Sequence, residues 1–221
     1  MPQELRLALR WWLIALGDEL AQSRDWRSDA TGSVVHLFCD AAGRPPMVAA
    51  VLFIDGKCYW TSMPPAARNG EARPGQSPAL RDRALARTLR AFQPREDNQI
   101  MGLEMLSIAL GLCSFESAIR RRRVVIWSDN TGAQAAAGRG AARAFDHGCL
   151  AHCLWTKIAR LRCLARVERV PTDENIADDP SRGELGLLQQ LGAVRVEPRL
   201  DEAFCVPASW ESMPFPCTSA A

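Results

Sequence analysis

The chain has 221 residues, 48% of them hydrophobic, and a formal net charge of +2. That is apolar material for one domain of ordinary size with extensions, and it excludes wholesale disorder. So mild a charge excludes nucleic-acid binding driven by bulk basicity and leaves local arginine clusters as the route to any such binding.

Residues 4–24 predict an amphipathic helix. Leu5, Leu9, Trp12, Leu16 and Leu20 recur at spacings of three or four, with Arg6, Arg10, Asp18 and Arg24 off that stripe. Its apolar run at 11–16 is too short to span a bilayer and makes a poor signal peptide. The eight cysteines contain no C-x-x-C pair, and Cys39, Cys113 and Cys163 lie in apolar segments, where free cysteine behaves as a small hydrophobe. An intracellular protein, cytoplasmic or nuclear and without membrane contact, is the expectation.

After a connector at 25–33, residues 34–38 predict a first strand, ending in Cys39 and Asp40. Residues 47–54 predict a second, Asp55-Gly56 a two-residue hairpin, and 57–62 the returning third. The stretch 64–97 is rich in Pro, Gly, Ala and Arg and reads as a surface insertion, helical at most over 79–92. A strongly apolar helix follows at 100–115. Glu104 stands in it among Leu103, Met105, Leu106 and Ile108, where a carboxylate is costly unless it is paired, bound to a metal or aimed into a polar cleft. The alternative is a first-turn acid complementing the helix dipole.

Residues 124–127 (VVIW) form a β-branched run consistent with a buried central strand. Asp129 stands at its carboxyl end, where open α/β sheets place ligands; a helix-capping role is the alternative. A small-residue helix at 131–137 leads to a basic turn with Arg139 and Arg143. Phe145, Leu150, Leu154, Ile158 and Leu161 space a long helix, and 165–170 reads as the last strand, stopped by Pro171. Thr172 or Asp173 caps a final helix holding Asn175, Ala177, Asp178, Asp179 and Arg182. Residues 186–221, punctuated by prolines, read as an extended tail. The chain thus divides into a helix and connector at 1–30, a domain at 31–185 and a tail at 186–221.

Four acids therefore fall one to an element: Asp40, Glu104, Asp129 and Asp178. Clustered carboxylates repel one another and do not all stay ionised in a low-dielectric cleft without cations. Hard oxygen ligands select Mg²⁺ or Mn²⁺, and two such ions about 4 Å apart can drive an in-line phosphodiester displacement. Adjacent residues on a helix point about 100° apart, so one of Asp178 and Asp179 can face such a site. His147, Cys149, His152 and Cys153 offer zinc-type ligands, but their helical spacing turns the histidines away from the cysteines, and packing accounts for them. The run Arg120 to Arg123 is either a phosphate rail flanking the acids or a solvated start to the strand.

The segments FCDAAG, GLEMLSIAL, VVIWSDNTGAQAA and VPTDENIADDPSR resemble the type 1 ribonuclease H domain of retroelement reverse transcriptases, of the long-terminal-repeat or tyrosine-recombinase kind. The resemblance covers residues 31–185. It implies an α/β fold of the RNase H-like type, a five-stranded mixed sheet flanked by helices, and cleavage of the RNA strand of an RNA–DNA hybrid with two Mg²⁺ or Mn²⁺ ions. On the residues of this chain, the family's catalytic and metal-binding acids fall on Asp40, Glu104, Asp129 and Asp178, the last favoured over Asp179 because it follows Ala177. Asn130 is either near the substrate backbone or a helix cap, and Arg139 and Arg143 are candidate substrate contacts.

The chain departs from the family in having Ala41-Ala42 after the first acid, where many relatives carry a hydroxyl residue. It also has Thr172 near the place where some carry a histidine. It contains no Tyr-x-Asp-Asp polymerase motif, so a polymerase domain is expected upstream in a parent protein, or lost. An RNase H-like module that binds or scaffolds nucleic acid without cutting it is the alternative. A 3′–5′ exonuclease would place an acid at position 42, and an integrase would lack the Ala-Asp-x-x-Ser-Arg pattern.

Overall fold

A computed structural model of the chain describes residues 32–65 and 100–200, together with Leu9. The rest of the helix expected at 4–24, the arginine-rich stretch at 66–97 and the tail from 201 onward lie outside the described residues.

The chain opens with three antiparallel strands, β1 (Val35–Gly43), β2 (Pro46–Ile54) and β3 (Lys57–Met63). Asp55 and Gly56 both take positive φ, 49° and 72°, as the type I′ turn of a two-residue hairpin requires. β1 runs further than its composition predicts. Acids are depleted in strands, and Asp40 was expected to stand at the strand's end. Instead β2 supplies ladder partners as far as Gly43–Pro46, and Asp40 lies inside β1 opposite Ala49.

Helix α1 (Ile100–Ser114) follows, then the single turn α2 (Glu116–Ile119), β4 (Arg123–Ser128), α3 (Thr131–Arg139), α4 (Phe145–Leu161) and β5 (Leu164–Arg169). β4 lies parallel to β1, and β5 parallel to β4. A helix that is apolar all round must be enclosed, and α1 is buried at every residue from Gly102 to Cys113. It presses on β1 and β2 at Gly111, where a Cβ would meet Leu37 at 2.9 Å and Ala50 at 3.2 Å. Leu103, Leu106 and Leu110 of α1, Ala133 and Ala137 of α3 and Leu154 and Ile158 of α4 join Leu37, Leu52 and Ile126 of the sheet in one core.

The C-terminal part differs from the expected arrangement. The predicted final helix is broken into a 3₁₀ turn, Thr172–Glu174, and a separate five-residue helix α5 (Asp178–Arg182). Asn175 joins them, its backbone N–H closing the turn on the Thr172 carbonyl. α5 carries its two acids and Pro180 in the first turn, where a missing N–H costs nothing, and Gly183 ends it at φ 83°. Nor is β5 the last strand, or all of 186–200 an extended tail. A further helix, α6 (Gly186–Gln190), and a two-residue strand, β6 (Val194–Arg195), come after. The sheet is therefore six-stranded rather than five-stranded, in the order β5-β4-β1-β2-β3-β6, with β6 parallel to β3 at the edge.

α5 and α6 cover the other face of the sheet. Ala177 and Leu188 pack there on Val51, Cys58 and Trp60 in a second, smaller cluster. Leu188 is the reason the segment returns: its apolar side chain gains by burial against β2 and β3. The architecture is thus a mixed α/β fold, a mixed sheet flanked by helices on both faces. Among the described residues, no helix is long and apolar enough to cross a membrane.

Candidate metal centre

Register places the acids. Phe38 of β1 is level with Trp127 of β4, so Asp40 and Asp129, each two residues further along parallel neighbours, come level at about the 4.8 Å strand spacing. Glu104 projects from the second turn of α1, which starts beside this end of the sheet. The result is a triad: Asp40, Glu104 and Asp129 each present a carboxylate oxygen, and these atoms lie within 4.8 Å of one another. A first-turn, dipole-complementing role for Glu104 is ruled out, since the first turn of α1 holds no acid and Glu104 is only 3% exposed.

The triad lines a cleft of about 390 Å³ whose walls also include Ala42, Thr172, Asp178 and Arg182. All four acids singled out in the sequence therefore border one space. Asp179 does not border it. Asp178 stands apart from the triad in one respect: its Oδ1 accepts from Nε of Arg182 at 2.8 Å and lies 2.8 Å from that residue's second guanidinium nitrogen. This i,i+4 pair turns the guanidinium over the cleft.

Burial and mutual repulsion raise two of the triad's carboxyl groups. Burial pushes the Glu104 carboxyl up to about 9, and the charges of Asp40 and Asp129 add to it against a hydrogen bond from the Ala41 backbone. Asp40 is pushed up to about 6, again chiefly by burial, while a hydrogen bond from Ser181 works in the other direction. Buried carboxyl groups ordinarily find a hydrogen-bond partner for each oxygen. Glu104 Oε2 is buried and has none. Three acids with oxygens this close, one of them carrying a buried oxygen without a partner, are the donor set of a cation site, and the triad could hold a metal ion.

Two residues that the sequence pattern contained, but to which it assigned no role, hold Asp40 in place. Asn175 donates from Nδ2 to the Cys39 carbonyl at 3.2 Å and to Asp40 Oδ1 at 3.3 Å, and its own Oδ1 accepts from the Ala177 N–H. Ser181 Oγ lies 2.5 Å from Asp40 Oδ2 and 2.8 Å from the Asp178 carbonyl. Their place in an Asn-x-Ala-Asp-x-x-Ser-Arg string was the available signal.

The candidate substrate contacts are more dispersed. Asn130 caps α3, its Oδ1 accepting from the Ala133 N–H at 2.9 Å. Arg139 and Arg143 are exposed, Arg139 at the far end of α3, about 12 Å of helix rise from its start. Neither borders the cleft. The run Arg120 to Arg123 does not flank the acids at all. It stands at the opposite end of β4, where Arg120 pairs with Glu116, Arg122 with Asp55, and Arg123 donates to the Gly32 carbonyl. The structure likewise gives no zinc cluster at His147, Cys149, His152 and Cys153: among the described residues the acid triad is the one group with metal-binding geometry. Cys149 is buried, and desolvation raises its thiol to about 12, which suits packing.

No model of a known protein family matches the chain, and no curated protein matches it in sequence.

Proposed function

We propose that the chain is a divalent-cation-dependent endonuclease of the ribonuclease H type. In this reading it hydrolyses the RNA strand of RNA–DNA hybrids, as a part or remnant of a retroelement reverse transcriptase. The observation that carries the reading is the triad of Asp40, Glu104 and Asp129, with its oxygens within 4.8 Å and one Glu104 oxygen orphaned. The sheet supports it as well. Three antiparallel strands lead into two parallel ones, in the run β3-β2-β1-β4-β5, which suits the RNase H-like mixed sheet that the sequence resemblance implies.

Carboxylate oxygens suit Mg²⁺ or Mn²⁺, and a pair of such ions would supply a Lewis acid and an activated water for in-line attack on phosphorus. Asp40, Glu104 and Asp129 would hold them, with Asp178 joining from α5. The chain's own residues do the rest. Burial of Asp40 and Glu104 against α1 and β1 closes the protein side of the cleft to bulk water, which strengthens every charge interaction inside it. Asn130 spends its side-chain oxygen on the α3 cap and keeps its amide nitrogen for a phosphate or sugar oxygen. Exposed Arg139 and Arg143 suit bidentate contact with the phosphate backbone further along the duplex. Ala41 and Ala42 bring no hydroxyl to the substrate, so recognition rests on backbone shape, which is how A-form-like duplexes are read.

The test is cleavage of an end-labelled RNA–DNA hybrid with Mg²⁺ or Mn²⁺, comparing the parent chain with Asp129→Asn. We expect cutting of the RNA strand that needs the cation and falls by at least about 10²-fold in the variant. Hybrid that is bound but never cut would replace the nuclease with a binding module. Well-folded protein that neither binds nor cuts would end both readings.

A further inference from the structure

The three acids of the triad reach the cleft from elements that pack on the large core, with one dependency outside it. Asp40 lies on the face of β1 that carries His36 and Phe38, the face on which α5 packs. Both of its carboxylate oxygens are engaged from that side: Oδ1 by Asn175 and Oδ2 by Ser181, 135 and 141 residues further along the chain. Asn175 and Ser181 are themselves 4% and 2% exposed, so neither bond competes with water. The Ser181 contact, at 2.5 Å, falls in the range of a hydroxyl donating to a charged oxygen. Its 2.8 Å approach to the Asp178 carbonyl is ordinary for a neutral acceptor. A hydroxyl has one proton, and the shorter contact is to Asp40.

We propose that Ser181, seconded by Asn175, is a positioning residue for cation binding: it fixes the Asp40 carboxylate in the orientation that meets Glu104 and Asp129, so that docking of α5 sets the affinity of the triad. This rests on the metal-centre reading above. A carboxylate ligand left free to rotate must lose that freedom when the cation arrives, whereas one already held by a buried hydroxyl and a buried amide has lost it on folding. The same hydrogen bonds cross from α5 and its preceding turn to the sheet, so the side chain that completes the site and the helix that brings Asp178 are positioned together. Partners of this kind, one bond removed from a metal, typically govern affinity by about 10–100-fold.

The experiment is a titration of the full chain with Mn²⁺, read by calorimetry and by the electron paramagnetic resonance signal of free Mn²⁺, on the parent, Ser181→Ala, Ser181→Thr and Asp129→Asn. Ser181→Ala removes one oxygen from a helix and favours helical backbone, so the fold is expected to survive, which circular dichroism checks. We expect Ser181→Ala to weaken Mn²⁺ binding by about tenfold or more and Ser181→Thr, which keeps the hydroxyl, to restore it. Unchanged affinity in Ser181→Ala overturns the proposal. So does an equal loss in both Ser181 variants, which would assign the effect to packing rather than to the hydroxyl. A parent that binds no Mn²⁺, or an Asp129→Asn variant that binds it as well as the parent, overturns the metal centre itself. That outcome is distinct, because it does not involve Ser181.

Discussion

Glu104 is the residue on which the site's energetics turn. A carboxyl whose pKa is raised in the folded chain binds its proton more tightly there than in the unfolded chain. Between its ordinary value of 4.5 and about 9, folding therefore takes up a proton, and stability falls as pH rises. Asp40 adds the same sign over a narrower window, from 3.8 to about 6. Without divalent cations the chain should lose stability steadily from pH 5 to pH 8.5, as followed by urea unfolding at each pH. Glu104→Gln, neutral at every pH, should flatten that slope and gain roughly 2–4 kcal/mol at pH 8. A slope that is unchanged in the variant would mean that Glu104 ionises freely. At this scale the sequence was informative about acids and silent about their neighbours. Glu104 stood out because a carboxylate among leucines has to be explained by something beyond packing. Ser181 and Asn175 did not, because a hydrogen bond across 135 or more residues leaves no periodicity to read.

Elements were legible where periodicity or turn chemistry was strong. The three opening strands, the Asp55-Gly56 turn, α1 and α4 follow from alternation, positive-φ residues and apolar spacing. What failed were the places where tertiary contact overrides local preference: the extension of β1 beyond Asp40 to Gly43, the division of the last helix into a turn and α5, and the return of α6 and β6 to the sheet. α6 holds its place with one fully buried leucine, a signal too small to find in a five-residue stretch. α1 shows the opposite case, an element whose tolerances are set by contact. Gly111→Val would drive a branched side chain into Leu37 and Ala50, and we expect a loss of about 1–3 kcal/mol in denaturant unfolding. The short α2 has a polar counterpart. Glu116 accepts from Lys157 at 2.7 Å, and the lysine side chain is 4% exposed. Glu116→Ala should cost about 1.5–3 kcal/mol by removing a hydrogen bond to that charge. A loss under about 0.5 kcal/mol would mean that the ammonium finds water or another acceptor.

At the scale of the whole molecule, the acid cluster is a junction of segments that are far apart in the chain. Asp40 comes from the opening hairpin, Glu104 from the central helix and Asp129 from the parallel half of the sheet. A cation held between them would bind the folded chain and not the unfolded one. Mg²⁺ at about 100 times its dissociation constant should then add about 2.7 kcal/mol, visible as a rise in the thermal midpoint that Asp129→Asn abolishes. Loss of the rise in the variant, against its survival in a surface variant such as Glu184→Gln, separates specific binding from a general salt effect. The bonds from Asn175 and Ser181 to Asp40 also have a consequence in time. A ribosome adding about 5–20 residues per second delivers Ser181 roughly 7–28 s after Asp40. Throughout that interval the nascent β1 acid is without its two braces, and the hairpin that carries it can pair long before they exist. The sheet can therefore be well advanced while the cleft is still unfinished, and the centre is one of the last parts of the described chain to mature.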